Sequence, residues 1–210
     1  MTSSKQWLRE HFSDLYVKKA QKEGYPSRAA YKLLEFQRRY SLIQPGMVIL
    51  DLGSAPGGWS VVANQLTGKN GVVISTDLLP MNDILGVTFI QGDFNDSGLF
   101  EQLEKTVAER SKNGRVDLVI SDMAPNISGE KSIDQPRSLH LLELAWDCAS
   151  KLLKPGGSFL AKVFQGPGVE QVVAELRNRF NHVKLCKPKA SRARSSEVYV
   201  FGEKFRYNAR

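Results

Sequence analysis

Cysteine is scarce in this chain, and so is histidine. Cys148 and Cys186 stand 38 residues apart, without a CxxC pair or a nearby histidine. This pattern is typical of reduced structural thiols and does not support a zinc site. His11, His140 and His182 lack metal-ligand spacing. We therefore interpret all three histidines as surface or packing residues and expect no metal.

Long hydrophobic runs are also missing. Hydrophobic residues make up 41% of the 210 residues, yet no apolar run is long enough to cross a bilayer. The first residues, MTSSKQWLREHF, lack the apolar core of a secretory signal, and Glu10 and Asp14 argue against a transit peptide. We therefore expect a cytoplasmic, monomeric protein without membrane association. The length and the absence of linkers or repeats predict a single domain over 1–210.

Positive charge is concentrated at the two ends of the chain. Residues 1–40 carry nine Lys/Arg against four Asp/Glu, and residues 182–210 carry eight against two. The middle, 41–181, has sixteen acidic and twelve basic residues, within a total charge of +7. An acidic centre with basic ends favours binding of a polyanion such as nucleic acid over a purely solubilising role.

Apolar strand segments alternate with helical segments after residue 45. Two basic helices come first, at 5–22 and 27–40, with Ser27 as the predicted cap of the second. Strands are predicted at 47–52, 71–77, 88–93, 116–122, 158–164, 182–187 and 196–202, the last two as a hairpin-like pair. Helices are predicted from Trp59 and at 97–110, 136–153 and 169–180. This order indicates a doubly wound α/β fold, a mainly parallel sheet with helices on both faces, preceded by a helical extension over 1–40.

A glycine-rich loop follows the first predicted strand, in the segment DLGSAPGGW at 51–59. Glycines at this place let a ligand approach the backbone closely. The dinucleotide fingerprint would require glycine at Ala55, and a phosphate-binding loop would require lysine at Trp59. The loop therefore fits a nucleoside or amino-acid moiety better than a pyrophosphate.

Two aspartates end neighbouring strands at the same predicted sheet edge. Asp77 ends the second strand and is placed to accept hydrogen bonds from both hydroxyls of a ribose. Asp93 follows the third strand and could receive the exocyclic amine of adenine. For either residue alone, a turn or cap role is the simpler interpretation.

A lysine interrupts the apolar strand SFLAKVF. Lys162 would be buried there, which is costly unless its charge is paired. We expect Asp122, at the end of the neighbouring strand, and Glu197, in the last strand, to be its partners. Glu197 and Tyr199 share one face of that strand. The alternative to a functional lysine is a structural ion pair.

Several segments together resemble the FtsJ/RrmJ family of ribose 2′-O-methyltransferases: SRAAYKLLE, DLGSAPGGWS, DLLPM, QGDF, SDMAPNISG, PGGSFLAKVFQG and SRARSSEVY. They occur in the family order over nearly the whole chain. The resemblance implies a Rossmann-like methyltransferase fold with a seven-stranded sheet and S-adenosylmethionine as methyl donor. It further implies the uridine 2′-hydroxyl of large-subunit (23S) ribosomal RNA as the acceptor, on the assembled subunit.

The resemblance also implies which residues form the site. It implies a catalytic group of Lys32, Asp122, Lys162 and Glu197. It implies cofactor contacts at Gly57, Trp59, Asp77, Asp93 and Asp122. Of these, Lys162 is the candidate for contacting the ribose hydroxyl. Burial, Lys32 and the sulfonium favour a neutral amine that acts as a general base, whereas Asp122 and Glu197 favour an ammonium that orients the hydroxyl.

Basic residues near both ends are candidate phosphate contacts beside the cleft: Arg9, Lys18, Lys19, Arg28, Lys187, Lys189, Arg192 and Arg194. Two alternatives remain at this point. One is a 2′-O-methyltransferase acting on transfer RNA or an mRNA cap. The other is a non-catalytic RNA-binding protein of the same fold, although such a protein has no need of a buried lysine.

Overall fold

A twisted sheet of seven strands forms the centre of the computed structural model, which describes residues 14–207 and, of Ser97, only the backbone. The strands lie in the order β3-β2-β1-β4-β5-β7-β6, and β7 alone runs antiparallel to its neighbours. Their bounds are β1 Val48–Leu52, β2 Val72–Asp77, β3 Val87–Gln91, β4 Val116–Ser121, β5 Leu153–Phe164, β6 Phe180–Cys186 and β7 Glu197–Phe205. The predicted mainly parallel α/β sheet is confirmed.

Six helices of the described chain cover the sheet: α1 Leu15–Glu23, α2 Ala30–Tyr40, α3 Gly58–Thr67, α4 Ser97–Arg110, α5 Lys131–Leu152 and α6 Val169–Arg179. Apolar residues of α4, α5 and α6 pack on one face, and those of α2 and α3 pack on the other. Strand residues alternate between the two cores, as Val119 and Ile120 of β4 do. None of these helices is long and apolar enough to span a membrane.

The second helix begins later than predicted, and Ser27 does not cap it. The cap position is Ala29, which makes no side-chain hydrogen bond, so the helix starts at Ala30. Ser27 Oγ is buried and faces Gly58 at the start of α3, where a β-carbon would come within 2.3 Å of it. The hydroxyl is therefore turned toward a neighbouring element, away from the α2 backbone. Of the predicted helix over 5–22, the part at 5–13 lies outside the described residues.

The long helix α5 begins at Lys131, five residues before the predicted start at Pro136. Proline lacks an N–H, but near the beginning of a long helix this removes only one backbone hydrogen bond. The following strand also starts earlier than predicted, directly at Leu153. The pairing of β4 with β5 shifts register between Leu153 and Ser158, so Pro155, Gly156 and Gly157 form an irregularity within the strand.

The segment between β6 and β7, residues 187–196, is anchored to the N-terminal helices. Glu35 of α2 is buried and accepts the backbone N–H of Lys189 at 2.7 Å and that of Ala190 at 3.4 Å. Arg28 donates to the Ala190 carbonyl from the other side. In addition, Ala190 packs in a small apolar cluster with Ala20 and Tyr31. The helices therefore hold this basic segment against the sheet edge.

Glu35→Ala is expected to destabilise the protein by about 1–3 kcal/mol, because it leaves buried backbone donors without an acceptor. Urea unfolding of the variant measures this loss. Glu104→Ala, an exposed position on α4, is the matched control and should change stability by less than about 0.5 kcal/mol. Equal effects of the two substitutions would contradict the anchoring role of Glu35.

Candidate active site

Four charged residues from four parts of the fold meet at the carboxyl end of β4. Asp122 follows β4, Lys162 lies in β5, Glu197 begins β7 and Lys32 belongs to α2. Lys162 Nζ lies 3.0 Å from Asp122 Oδ1 and donates to the Asp122 carbonyl at 2.5 Å. Lys32 Nζ lies 3.5 Å from Asp122 Oδ1 and 3.0 Å from Glu197 Oε1. The structure thus brings together all four residues of the predicted catalytic group.

The pairing within the group differs from the sequence expectation in one respect. Lys162 contacts Asp122 as predicted, but the ion pair of Glu197 is with Lys32. The antiparallel register of β5 and β7 explains this, because it sets Lys162 opposite Tyr199 and Glu197 opposite Phe164. Glu197 is therefore displaced along the strand, toward α2.

Two cations and two carboxylates balance each other in this buried cluster. Lys32 and Lys162 are each only 7% exposed. Burial acts to raise the pKa of Asp122, but Lys162, Lys32 and a hydrogen bond from Tyr199 outweigh it and hold that pKa below its usual value. Asp122 is therefore an ionised acceptor at neutral pH.

Tyr199 is a member of the site to which sequence reasoning gave no role. It is fully buried, and its hydroxyl donates to Asp122 Oδ1 at 2.6 Å. Burial and the nearby carboxylates of Asp122 and Glu197 raise its pKa well above 10. The available signal was its position on the same face of β7 as Glu197.

A cleft of about 810 Å³ opens above the two lysines. Its walls combine basic side chains, small residues of the loop after β4 and the exposed Ile127. The basic lining residues are Arg28, Lys32, Lys131, Lys162, Arg192 and Arg194. A volume of this size accommodates one nucleotide-sized group beside the buried cluster.

Of the predicted phosphate contacts, three line this cleft: Arg28, Arg192 and Arg194. Arg28 and Arg192 share the carboxylate of Asp14. Lys187 instead donates to the carbonyls of Ala193 and Ser195 and so braces the 187–196 segment.

Three other predicted contacts are not among the cleft-lining residues. Lys18, Lys19 and Lys189 are exposed, and Lys19 forms an ion pair with Glu23. Arg9 lies outside the described residues.

The glycine loop after β1 lies beside the charged cluster. Gly53 has a φ of +74°, and a β-carbon there would lie 2.2 Å from Met123 Cγ, so only glycine fits between the ends of β1 and β4. Gly57 has a φ of +105° and precedes the first turn of α3. The first amides of a helix have no partner within it. The N-terminus of α3 therefore presents N–H groups to a ligand at this edge.

The two predicted cofactor aspartates occupy different environments. Asp77 is half-buried and accepts from Ala55 N at 2.9 Å and Leu79 N at 2.8 Å, so it supports the glycine loop. Asp93 is exposed and accepts from the backbone and side chain of Asn95, which lowers its pKa. This is the geometry of a turn aspartate, the alternative interpretation noted for Asp93.

Trp59 directs its side chain into the core. It is 2% exposed, donates from Nε1 to the Ala29 carbonyl at 2.8 Å, and stacks on Tyr199 with ring centroids 5.8 Å apart. A ligand on the glycine loop can therefore meet the backbone N–H of Trp59, whereas its indole joins α2 and α3 to β7.

Asp51, which sequence reasoning named only as part of the glycine segment, is fully buried at the end of β1. Its Oδ2 accepts from Ser60 Oγ at 2.6 Å, and its Oδ1 has no hydrogen-bond partner. Burial raises the pKa of Asp51 to about 7. The Ser60 hydrogen bond acts to lower this pKa, and the nearby charges of Asp122 and Asp77 act to raise it. Ser54 Oγ and Thr76 Oγ1 nearby are also buried without a partner. Such orphaned polar atoms fit a site that receives a polar ligand.

No cysteine or histidine of the described residues contributes to this site. Cys148 and Cys186 are buried free thiols, and burial raises the pKa of Cys148 to about 12. His140 and His182 are exposed, as predicted, and His11 lies outside the described residues. Among residues 14–207 no group of His, Cys, Asp or Glu side chains is arranged to hold a metal ion.

A parallel sheet with a glycine loop after β1 and a charged cluster after the adjacent β4 defines a Rossmann-like α/β fold. Its ligand sites lie where the strand order reverses, between β1 and β4. The class of protein is therefore that of Rossmann-like α/β proteins, in which a ligand binds at this edge of the sheet.

Comparison with known proteins gives the family. The FtsJ-like methyltransferase model matches residues 25–205. The ribosomal RNA large subunit methyltransferase E of Coxiella burnetii strain RSA 331 is 64% identical, over 100% of both chains. That of Acinetobacter baumannii is 54% identical, over 96% of this chain and 91% of the relative. The chain belongs to the FtsJ-like methyltransferase family, and the resemblance inferred from the motifs is confirmed.

A solved structure agrees with this assignment. A Plasmodium falciparum protein, described as a ribosomal RNA methyltransferase, superposes with a TM-score of 0.76 at 28% identity. The superposition covers 86% of this chain and 98% of that one.

The raised pKa of Asp51 predicts a specific pH dependence of stability. Its pKa rises from 3.8 to about 7 on folding, so the folded state binds the extra proton between these values. Stability from this group is present below pH 4 and is lost as the pH rises through about 7. Since one pKa unit corresponds to about 1.4 kcal/mol, the loss is a few kcal/mol at most.

Asp51→Asn should therefore remove this decline, which urea unfolding at a series of pH values would measure. Asp83→Asn, at an exposed position, is the matched control and should keep the wild-type pH dependence. If the wild type and Asp51→Asn lose stability in parallel between pH 4 and 7, Asp51 does not titrate as described.

Proposed function

We propose that this protein transfers a methyl group from S-adenosylmethionine to the ribose 2′-hydroxyl of a uridine in large-subunit (23S) ribosomal RNA, on the assembled subunit. The observation that carries the proposal is the buried Lys32–Asp122–Lys162–Glu197 cluster at the base of a basic cleft. The names of the Coxiella and Acinetobacter relatives support the RNA class. We further propose that the protein acts as a monomer in the cytoplasm, without a metal.

The residues beside the cluster fit the proposed methyl donor. The donor supplies an electrophilic methyl group on a sulfonium, so no covalent enzyme intermediate is needed. The N-terminus of α3, with Gly57 and the Trp59 backbone, would hold its polar end, together with the orphaned oxygen of Asp51. We assign Asp77 and Asp93 to its nucleoside and Asp122 to the side nearest the reacting group.

Lys162 would orient the attacking hydroxyl. An ammonium group has three donors, and two contacts of Lys162 are already made to Asp122, through Oδ1 and the backbone carbonyl. The remaining donor can hold the ribose oxygen in line with the methyl group. The ribose oxygen would gain the methyl group as the methyl–sulfur bond breaks, and the hydroxyl proton would pass to solvent in the cleft late in this transfer. Lys32 and Glu197 complete the charge balance of the cluster.

Tritiated S-adenosylmethionine offered with ribosomal subunits, free ribosomal RNA and transfer RNA tests the function directly. We expect label on one uridine 2′-oxygen of the large subunit, located by mapping the modified nucleotide. Label on transfer RNA would show that transfer RNA is the acceptor in place of ribosomal RNA. Cofactor binding without label on any RNA would support a non-catalytic RNA-binding protein.

Lys162→Met should reduce single-turnover methyl transfer by roughly 10²–10⁴, the usual contribution of a positioned acid–base group. The fold should persist, because methionine is of similar length and an apolar residue is compatible with a buried strand. Circular dichroism checks the fold, and calorimetry should find cofactor affinity within a few-fold of wild type. Near-normal transfer by a folded variant would show that Lys162 is a structural ion-pair residue without a role in methyl transfer.

Three further variants serve as controls for this experiment. Lys105→Met changes an exposed lysine of α4 and should leave transfer intact. Glu197→Ala should cost less than Lys162→Met, because Glu197 acts through Lys32. Asp77→Ala should weaken cofactor binding by about 1–3 kcal/mol, whereas Lys162→Met should leave cofactor binding nearly unchanged.

RNA affinity should decrease steeply with salt, because bound RNA releases counterions. Replacing Arg192 and Arg194 with Gln should weaken binding and flatten the log–log salt slope by up to about two, at roughly 0.7–0.9 per lost phosphate contact. Filter binding across a salt series measures both effects. Lys105→Gln with Lys112→Gln is the matched control, since Lys112 precedes β4 at the opposite sheet edge. A salt slope equal to that of wild type would show that the two arginines do not contact RNA phosphates.

A further inference from the structure

The hydroxyl of Tyr199 makes a contact that the family comparison does not explain. Within residues 14–207, three donors reach the Asp122 side chain, and all three meet the same oxygen, Oδ1: Tyr199 at 2.6 Å, Lys162 at 3.0 Å and Lys32 at 3.5 Å. The tyrosine makes the shortest of these contacts, and it is the one donor without a charge. It therefore fixes the carboxylate without adding to the positive charge of the cluster.

The ring of Tyr199 is held on several sides. It stacks on Trp59, meets the edge of Phe36 at a centroid distance of 5.3 Å, and lies 5.6 Å from Lys32 Nζ. With Tyr199 fully buried, its hydroxyl has little freedom of rotation away from Asp122. The position of the hydroxyl is therefore determined by α2, α3 and β7 together.

We propose that Tyr199 is a positioning residue, which holds the Asp122 carboxylate in the one orientation that serves Lys162 and Lys32 at the same time. The inference rests on the proposed function, because it assigns Asp122 to the reacting group. Tyr199 need not touch the ribose or the methyl donor for this role.

The charge of Asp122 depends on every titratable group that faces it. These groups lie on every element that packs around Asp122: Asp51 of β1, Lys32 of α2, Lys162 of β5, and Glu197 and Tyr199 of β7. Arg28 lies near the Tyr199 hydroxyl. A hydrogen bond to the ionised form of a carboxyl favours that form. Removal of the Tyr199 hydroxyl therefore makes Asp122 easier to protonate, so the acidic limb of a pH–rate profile moves to higher pH.

Tyr199→Phe tests the proposal, because phenylalanine keeps the ring contacts and removes only the hydroxyl. Two measurements are made on the full chain. Carbon-13 NMR follows the Asp122 carboxyl over pH, assigned through its loss in Asp122→Asn. Single-turnover methylation of ribosomal subunits is followed over the same pH range. Tyr40→Phe is the matched control, since the Tyr40 hydroxyl contacts Cys186 Sγ and its ring packs on Phe36.

The expected result is a rise of about one pH unit in both the Asp122 titration and the acidic limb of Tyr199→Phe, with activity regained at higher pH. Tyr40→Phe should match the wild type in both. An unchanged Asp122 titration, or a loss of rate that is uniform over pH, would overturn the proposal. If the wild type methylates no RNA, the proposed function fails, and the carboxyl titration still decides whether Tyr199 governs Asp122.

Discussion

The carboxylate of Asp122 joins Lys32, Lys162 and Tyr199 in the buried charged cluster. Two ammonium groups that are almost completely buried would be too costly to keep charged without an acceptor between them. Loss of that acceptor would leave uncompensated charges in the core, which costs far more than an exposed ion pair contributes. The parallel register of β4 and β5 pairs Ser121 with Ala161, so the next residues, Asp122 and Lys162, emerge side by side.

The cluster occupies the place on the sheet where charge costs least. On the face of the sheet that α2 and α3 cover, the strand positions nearer the middle are apolar. Leu160, two residues before Lys162, and Phe201, two residues after Tyr199, are examples. At the carboxyl edge the same face meets the cleft, so solvent can reach the charged groups. The helix α2 serves both regions, since Lys32 enters the cluster while Glu35 holds the backbone of the basic 187–196 segment. The cleft wall and the charged cluster are thereby attached to one helix.

Particular residues mark how far sequence reasoning reaches. Lys162 was recognisable as a buried lysine because its neighbours are apolar, and the same reasoning applied to Asp51 would have identified a buried carboxylate in VILDL. Asp77 and Asp93 have similar sequence positions, yet one braces the glycine loop and the other closes an exposed turn. The alternation of side chains along a strand predicts which face of the sheet a residue lies on. It does not predict the hydrogen-bond partner of an aspartate at the strand end, because that partner depends on the path of the following loop.

The sequence by itself determined the α/β class, the order of strands and helices along the chain, the glycine loop and the four residue types of the site. These follow from local periodicity, from the conformational freedom of glycine and from the cost of placing charge in an apolar strand. Only the tertiary structure decided that Glu197 pairs with Lys32, that Tyr199 donates to Asp122 and that Trp59 turns inward. Those contacts join residues far apart in the chain. A shift of one residue in the β5–β7 register would send Glu197 and Tyr199 of β7 to the opposite face of the sheet.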